Sequence, residues 1–219
     1  MKKKQVVVIG LGHFGSSVAR TLSELGHEVL GIDRNPDAVS VAADFVTQAV
    51  QADASSEGAL REMGVRNFDI GVVSIADDVK SSILITLLLK KLGVRWVVAK
   101  ASDELHGEIL QRIGADRVVL PETETGVRVA HGLAVPALVD YLRVIPGYGV
   151  SKLVAPAAMA GKSLGDLHLK GPAVLTIVLL ARGTQLILSP GRDEIVREGD
   201  LLVIAGEDER IETLGATDA

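Results

Sequence analysis

Short apolar runs recur along the first half of the chain, each separated from the next by a stretch of helical spacing and a glycine. Val6 to Ile9 is the first run, and Ser16 to Leu25 follows with Val18, Ala19, Leu22 and Leu25 on one helical face. An unbroken apolar run of this length suits a strand buried on both faces, whereas apolar residues about three or four apart suit an amphipathic helix. The unit then repeats. Leu25-Gly26-His27 leads into Val29–Ile32, Met63-Gly64-Val65 precedes Ile70–Ile75, Leu92-Gly93-Val94 leads into Trp96–Ala99, and Ile113-Gly114-Ala115 leads into Val118–Leu120. A glycine just past a helix closes its last turn. Helix starts are marked by Asn35 before Pro36, by Ser55 or Ser56 before Glu57, and by Asp77-Asp78, with Asp77 expected to cap. Counting the weaker run Val46–Ala52, about six strands alternate with helices up to Leu120. The alternation predicts an α/β, Rossmann-like domain with a parallel sheet covered on both faces.

The pattern changes after Leu120. Gly126 to Leu142 reads as a helix whose stripe Val127, Ala130, Ala134, Leu138 and Tyr141 is joined by Val129, Leu133, Val135 and Ala137 on other sides. A helix apolar nearly all round is buried on more than one face, here against a second subunit, with Pro136 as a kink. His131 on this helix has no acid or nucleophile spaced to partner it and reads as a surface or interface histidine. Pro146-Gly147-Tyr148-Gly149 reads as a hinge. Beyond it come short strands, Ser151–Ala155, Val174–Ala181, Gln185–Leu188 and Leu201–Ala205, then a helix over Glu207–Leu214. The expected division is therefore 1–142, a nucleotide-binding domain ending in a dimerisation helix, and 143–219, a small α+β domain. The run around Val174–Leu180 suggests a strand covered on both sides, again by a partner subunit.

Composition narrows the classes. The chain has 219 residues, 47% hydrophobic content and a net charge of −5, with no basic cluster beyond Lys2-Lys3-Lys4, so a nucleic-acid surface is not indicated. Ile83–Leu89 and Ala173–Ala181 fall short of the roughly 20 apolar residues that a membrane helix needs. The apolar run after Lys4 lacks a small-residue cleavage site and reads as the first strand rather than a signal peptide. There is no cysteine, which excludes disulfides and thiolate metal sites and fits a reducing cytoplasm.

The candidate chemistry sits at the first strand end. Gly10, Gly12 and Gly15 have the spacing of a diphosphate-binding turn: the first for the tight turn, the second for backbone approach to phosphate, the third for close helix–strand packing. Helix N–H groups and the helix dipole then face the negative charge. Asp33 ends the second strand, where an acid binds the ribose hydroxyls and disfavours a 2′-phosphate. Asp53-Ala54 and Ile75-Ala76 end the third and fourth strands, on the sheet edge where open α/β folds bind ligands.

These residues resemble the RCK (regulator of potassium conductance) family, and more closely the KtrA/TrkA-type cytosolic subunits of bacterial Ktr and Trk potassium uptake systems. The resemblance covers nearly the whole chain. It rests on Val8-Ile9-Gly10-Leu11-Gly12-His13-Phe14-Gly15, Gly26–Leu30, Ile113–Val119 with Pro121-Glu122, and, in the second domain, Leu188-Ser189-Pro190 with Arg197–Asp200. It implies an N-terminal domain that binds ATP or ADP, with NAD(H) in some members, and homodimers assembled into an octameric ring. The ring lies under a membrane potassium channel subunit (KtrB/TrkH-like), cytoplasmic and peripheral to the inner face of the cell membrane. Nucleotide exchange gates potassium flow, and no residue is catalytic. The implied contact set is Gly10, Gly12, His13, Phe14, Gly15, Asp33, Arg34, Asp53, Ala54, Ile75, Ala76, Lys100 and Glu122. Lys100 and Glu122 lie near the γ-phosphate, and Glu122 joins a cation there (Mg2+, Ca2+ or Na+). The family usually carries Arg where this chain has His13. Histidine offers one donor, or a charge only when protonated, so ATP preference is expected to strengthen on acidification. In related proteins the C-terminal domain binds cyclic di-AMP, with Leu175, Ile177, His168, Lys170 and Pro190 at comparable places here.

The alternative from the fold alone is a small NAD-dependent oxidoreductase, which needs a substrate domain and an acid–base residue aimed at the nicotinamide. The only histidine of the C-terminal segment, His168, has no obvious partner there. A redox-sensing DNA-binding repressor would need a recognition helix or basic face, and neither stands out.

Overall fold

The apolar run Val6–Ile9 forms the central strand of a parallel sheet, with its residues at most 1% exposed. In the computed structural model, which describes residues 2–167 and 175–215, this strand is β1 (Gln5–Ile9). It pairs with β2 (Glu28–Asp33) on one side and β4 (Ile70–Val73) on the other. The sheet order is β3-β2-β1-β4-β5-β6, with β3 Gln48–Gln51, β5 Trp96–Lys100 and β6 Arg117–Val119. The helices between the strands are α1 (His13–Glu24), α2 (Pro36–Ala42), α3 (Glu57–Glu62), α4 (Val79–Lys91) and α5 (Glu104–Arg112). Alternate residues of β1 feed two separate cores. Val7 and Ile9 pack with Ile32, Leu60, Ile85, Leu89 and Leu110, while Val6 and Val8 pack with Val29, Ala19, Ala42 and Val72. Burial on both faces is what the unbroken apolar runs require, so the Rossmann-like expectation holds. Strand order reverses beside β1, and a crevice opens there at the carboxyl ends of the strands.

Local signals set the helix limits. Gly26 and Gly93 take φ of +85° and +92° just past α1 and α4, conformations that side chains resist. Asn35, Ser56, Asp78 and Asp103 accept hydrogen bonds from backbone N–H groups in the first turns of α2, α3, α4 and α5. The cap of α4 is thus Asp78 and not the expected Asp77, because the helix starts at Val79 and a cap directly precedes the first helical residue.

Packing divides the chain between Glu122 and Thr123, earlier than the expected division at 142/143. In the second unit the sheet is antiparallel, ordered β10-β9-β11-β8-β7. These strands are β7 (Leu138–Ile145), β8 (Tyr148–Val154), β9 (Thr176–Arg182), β10 (Gln185–Leu188) and β11 (Leu201–Glu207), followed by α7 (Asp208–Gly215). The expected helix over Gly126–Leu142 is corrected here: α6 runs Pro121–Ala134, stops before Pro136, and the chain continues as β7. Proline lacks the N–H a helix interior needs, so it ends this helix rather than kinking it. The expected hinge is a hairpin turn, with Ile145 paired to Tyr148 around Pro146-Gly147 and Gly147 at φ +80°. A Pro-Gly pair suits the middle of a tight turn.

Leu153, Leu180, Leu202 and Ile204 centre the core of this unit. Arg182 spans it, donating to Asp200 through Nε at 2.9 Å and a terminal nitrogen at 2.7 Å, and to Glu194 at 3.0 Å. Much apolar surface stays uncovered within the chain. No residue of α6 is buried, and Leu133 and Leu142 are 81% and 65% exposed. Strand β9 buries Leu180 but leaves Val178 exposed, so this chain alone does not cover it on both sides. Val174, His168 and Lys170 lie outside the described residues. Among the described residues no helix is long and apolar enough to cross a membrane.

Candidate functional site

At the end of β1 the backbone turns at Gly10, whose φ of +91° lies in the left-handed region. A side chain there would also meet Ser74 Oγ at 2.8 Å. Gly15 fails for a different reason: a Cβ would sit 1.9 Å from the Gly10 carbonyl oxygen. Nothing lies within 4 Å of a Cβ built on Gly12, so that face of the turn is open to an incoming group. Gly10 thus makes the tight turn and Gly15 the close helix–strand packing that their spacing implies. Ser74, at the end of β4, donates its hydroxyl to the Gly10 carbonyl and ties the turn to the neighbouring strand.

The helix that starts here differs from α2 to α5. No side chain caps α1, its cap position is Gly12, and its first turn holds no acid. Its leading N–H groups and dipole therefore meet no anion from this chain's own cap, the arrangement that accepts a phosphate.

Asp33 ends β2 and reaches across to the turn. One carboxylate oxygen accepts from Leu11 N–H at 2.6 Å, and the other from Asn35 N–H at 2.8 Å. Each oxygen keeps a lone pair for a sugar hydroxyl. Arg34 points to the end of β3, donating to Asp53 at 2.6 Å and to Ser55 Oγ at 2.8 Å. Ser55 also donates its hydroxyl and its N–H to Asp53. These hydrogen bonds, from Ser55 first and Arg34 next, lower the Asp53 carboxyl to about 2.

Gly10, Asp33, Arg34, Ala54 and Ile75 join in one cavity of about 200 Å³, with Ile9, Ile32, Ala52 and Ile85 as apolar wall. Asp78 and Ser81, from the start of α4, line it as well. Sequence reasoning placed Asp78 only at the opening of a helix and passed over Ser81 and Ser74. The strand-end run Val73-Ser74-Ile75 was the available signal for Ser74, and the helix start after Asp78 was the signal for Ser81. Ala76 is buried beside this wall without lining the cavity, and Asp53 enters only through Arg34.

A second group forms beside the turn. Lys100, at the end of β5, lies 2.6 Å from Glu122 in the first turn of α6 and 5.9 Å from the centre of the Phe14 ring. The hydrogen bond from Lys100 holds the Glu122 carboxyl below its usual range. His13 is the first residue of α1 and is exposed. Among the described residues no group of three or more His, Asp or Glu is placed to hold a metal by itself.

The chain as a whole has counterparts among known proteins. The TrkA-N domain family matches residues 6–121 and the TrkA-C domain family matches residues 151–217. The chain is 38% identical over 204 residues to the Ktr system potassium uptake protein C of Bacillus subtilis, covering 93% of this chain and 92% of the relative. It is similar to the crystal structure of the GsuK RCK domain, with a TM-score of 0.66 and 20% identity over 98% of this chain. It is also similar to the GsuK channel bound to NAD, with a TM-score of 0.64 and 20% identity over 97% of this chain. This chain spans 48% and 39% of those two solved chains, and at such identity they speak to the fold alone.

Proposed function

The chain belongs to the family built from TrkA-N and TrkA-C domains, and from that premise we propose that it is a cytosolic regulatory subunit gating a membrane potassium channel or transporter of the Ktr or Trk type. Its signal is the exchange of ATP and ADP. The observation that carries this reading is the uncapped start of α1 above the Gly12 opening, with Asp33 fixed beside it for a ribose. The residues fit a nucleotide. Helix N–H groups hold the diphosphate, Asp33 the sugar, and the Ile32, Ile75 and Ile85 side of the cavity the base. Lys100, beside Phe14 and Glu122, would serve a third phosphate, and Glu122 would offer one carboxylate to a Mg2+, Ca2+ or Na+ whose other ligands come from phosphate, water or a neighbouring subunit. NAD(H) shares the same half-site chemistry and is the competing ligand.

Regulation then rests on differential binding. ATP moves the assembly toward one shape only by as much as it binds that shape better than ADP does. A preference of about 100-fold supplies about 3 kcal/mol per site. Several coupled sites make this sufficient, which is the role of a homodimer built up to an octameric ring. The exposed apolar face of α6 suits such assembly. In this reading the protein transfers no hydride and is not an enzyme. Cyclic di-AMP at the C-terminal domain belongs to the same proposal, with Leu175, Ile177 and Pro190 as the described members of its surface.

Potassium flux through the channel subunit, reconstituted with this protein and switched from ADP to ATP, tests the reading. A flux that follows the nucleotide is expected. Flux indifferent to both nucleotides, or turnover of NADH with a hydroxy-acid substrate, overturns it. Calorimetry with ATP, ADP and NADH near pH 6 and pH 8 adds the His13 question, since an ATP/ADP ratio that does not change with pH removes that part. Absence of a heat signal with cyclic di-AMP removes the C-terminal part.

A further inference from the structure

Arg34 occupies the position next to the ribose acid, where a guanidinium in a Rossmann-like site ordinarily accommodates a 2′-phosphate. In this chain that guanidinium is already engaged. Asp53 takes it at 2.6 Å and Ser55 Oγ at 2.8 Å, and Ser55 in turn donates to Asp53 through both its hydroxyl and its N–H. Gln51 reinforces the strand-end loop by donating to the Arg34 carbonyl at 3.2 Å. Charge points the same way. Asp53 alone of the nearby carboxylates contacts the guanidinium, and Asp33 and Asp78 line the same cavity, so carboxylates outnumber Arg34 at this end. The Asp53 carboxyl, lowered to about 2, keeps its charge throughout the physiological range.

We propose that the Asp53–Ser55 pair is a specificity determinant of this site: it holds Arg34 away from the ligand's 2′ position and so restricts the site to nucleotides with an unmodified ribose diol. The inference rests on the nucleotide-binding reading above and adds the class of nucleotide the site refuses. Asp33 alone would repel a 2′-phosphate; the clamp engages the one cation among the described residues lining the cavity. Arg34 and Asp53 are each about half exposed, so removing both of the acceptors of Arg34 is enough to undo the clamp.

The test uses two ligands that differ only at the 2′ position, 5′-AMP and adenosine 2′,5′-bisphosphate, titrated calorimetrically into the full chain, with ADP as the control. The unaltered protein is expected to favour 5′-AMP by about 100-fold, the scale of juxtaposed like charges. In Asp53→Asn combined with Ser55→Ala, the ratio is expected to fall by about tenfold through tighter binding of the bisphosphate, as a released guanidinium meets a phosphate. Adding Arg34→Ala to that pair is expected to restore the original discrimination. Ser55→Ala alone, which removes one of the two acceptors of Arg34, is expected to shift the ratio in the same direction by less. A ratio unchanged in both the double variant and Ser55→Ala overturns the proposal, as does a shift that survives Arg34→Ala. A protein that binds ADP but discriminates against neither ligand overturns this inference while leaving the nucleotide reading standing. Failure to bind ADP at all overturns both.

Discussion

The two units solve the same burial problem to different extents. In the N-terminal unit each face of the sheet is closed by helices of the same chain, and β1 divides its side chains between two cores. The C-terminal unit has a single core, and much of α6, including Val129 and Leu133, remains exposed although Val127 packs against that core. Their polar interiors differ as well. The first buries the neutral or titratable groups Ser82, Thr86 and His106, while the second buries a charge, Asp200, answered by Arg182. The difference separates a unit whose sheet is closed on both faces from one that leaves apolar surface exposed.

Spectroscopy can break or sharpen this contrast, because the single tryptophan, Trp96, lies in the first unit and both tyrosines, Tyr141 and Tyr148, lie in the second. Asp200→Ala leaves the Arg197 N–H without its acceptor and Arg182 with only Glu194 and the Ile195 carbonyl, and is expected to destabilise the second unit by about 3 kcal/mol. Urea unfolding followed by tyrosine signal should shift, with the Trp96 transition unmoved. Gly15→Ala is the reciprocal change. It drives a methyl into the Gly10 carbonyl and is expected to cost about 3 kcal/mol, read by Trp96. If both signals move together in either variant, the two units do not unfold independently and the contrast collapses.

Acid should also divide them. His106 is buried, accepts from Ser102 N–H at 3.2 Å through Nδ1, and leaves Nε2 without a partner. Burial pushes its pKa below the ordinary 6.5, offset in part by Asp103. A histidine kept neutral by folding is protonated more readily when unfolded, so the first unit loses stability as pH falls below about 6.5. The slope is at most about 1.4 kcal/mol per pH unit for one proton, and His106→Gln should flatten it in Trp96-detected melts. Asp200 behaves otherwise. Burial raises its carboxyl, but hydrogen bonds from Arg182 and the Arg197 N–H outweigh this and hold it low, so the second unit weakens only as pH drops below about 3.8. Smallest in folding terms is Leu133→Ser, expected to change the stability of the single chain by less than about 0.5 kcal/mol. Sedimentation is the sensitive readout: loss of assembly is expected, and an unchanged oligomer would show that α6 is not the covered face.

The first unit was legible because burial on both faces leaves a strong sequence mark: Val6–Ile9 and Ile70–Val73 could hardly be placed otherwise. The second was misread at β7 for a physical reason. Only Leu138 and Tyr141 of that strand are buried, three positions apart, because the register shifts between Leu138 and Asp140 and again between Arg143 and Ile145. Bulges reset the alternation, and the resulting spacing imitates a helix. His131 eluded sequence reasoning through distance. Its ring stacks on Tyr141 at 4.0 Å between centroids, and its Nδ1 lies 3.2 Å from Glu212, neither of which local spacing reveals. At the site, the glycines and Asp33 could be read from their spacing, whereas the Arg34–Asp53–Ser55 clamp depends on how the ends of β2 and β3 meet.

Asp33 carries one more consequence. Its two oxygens fasten Leu11 on one side and Asn35 on the other, while the Ser74 hydroxyl fastens Gly10. A turn tied at Leu11 and Gly10 to side chains that are themselves fixed would have little conformational freedom to surrender to the phosphate of the proposed function, so binding there would begin from a preorganised state. Differences between competing nucleotides should then appear in how long each stays rather than in how fast each arrives.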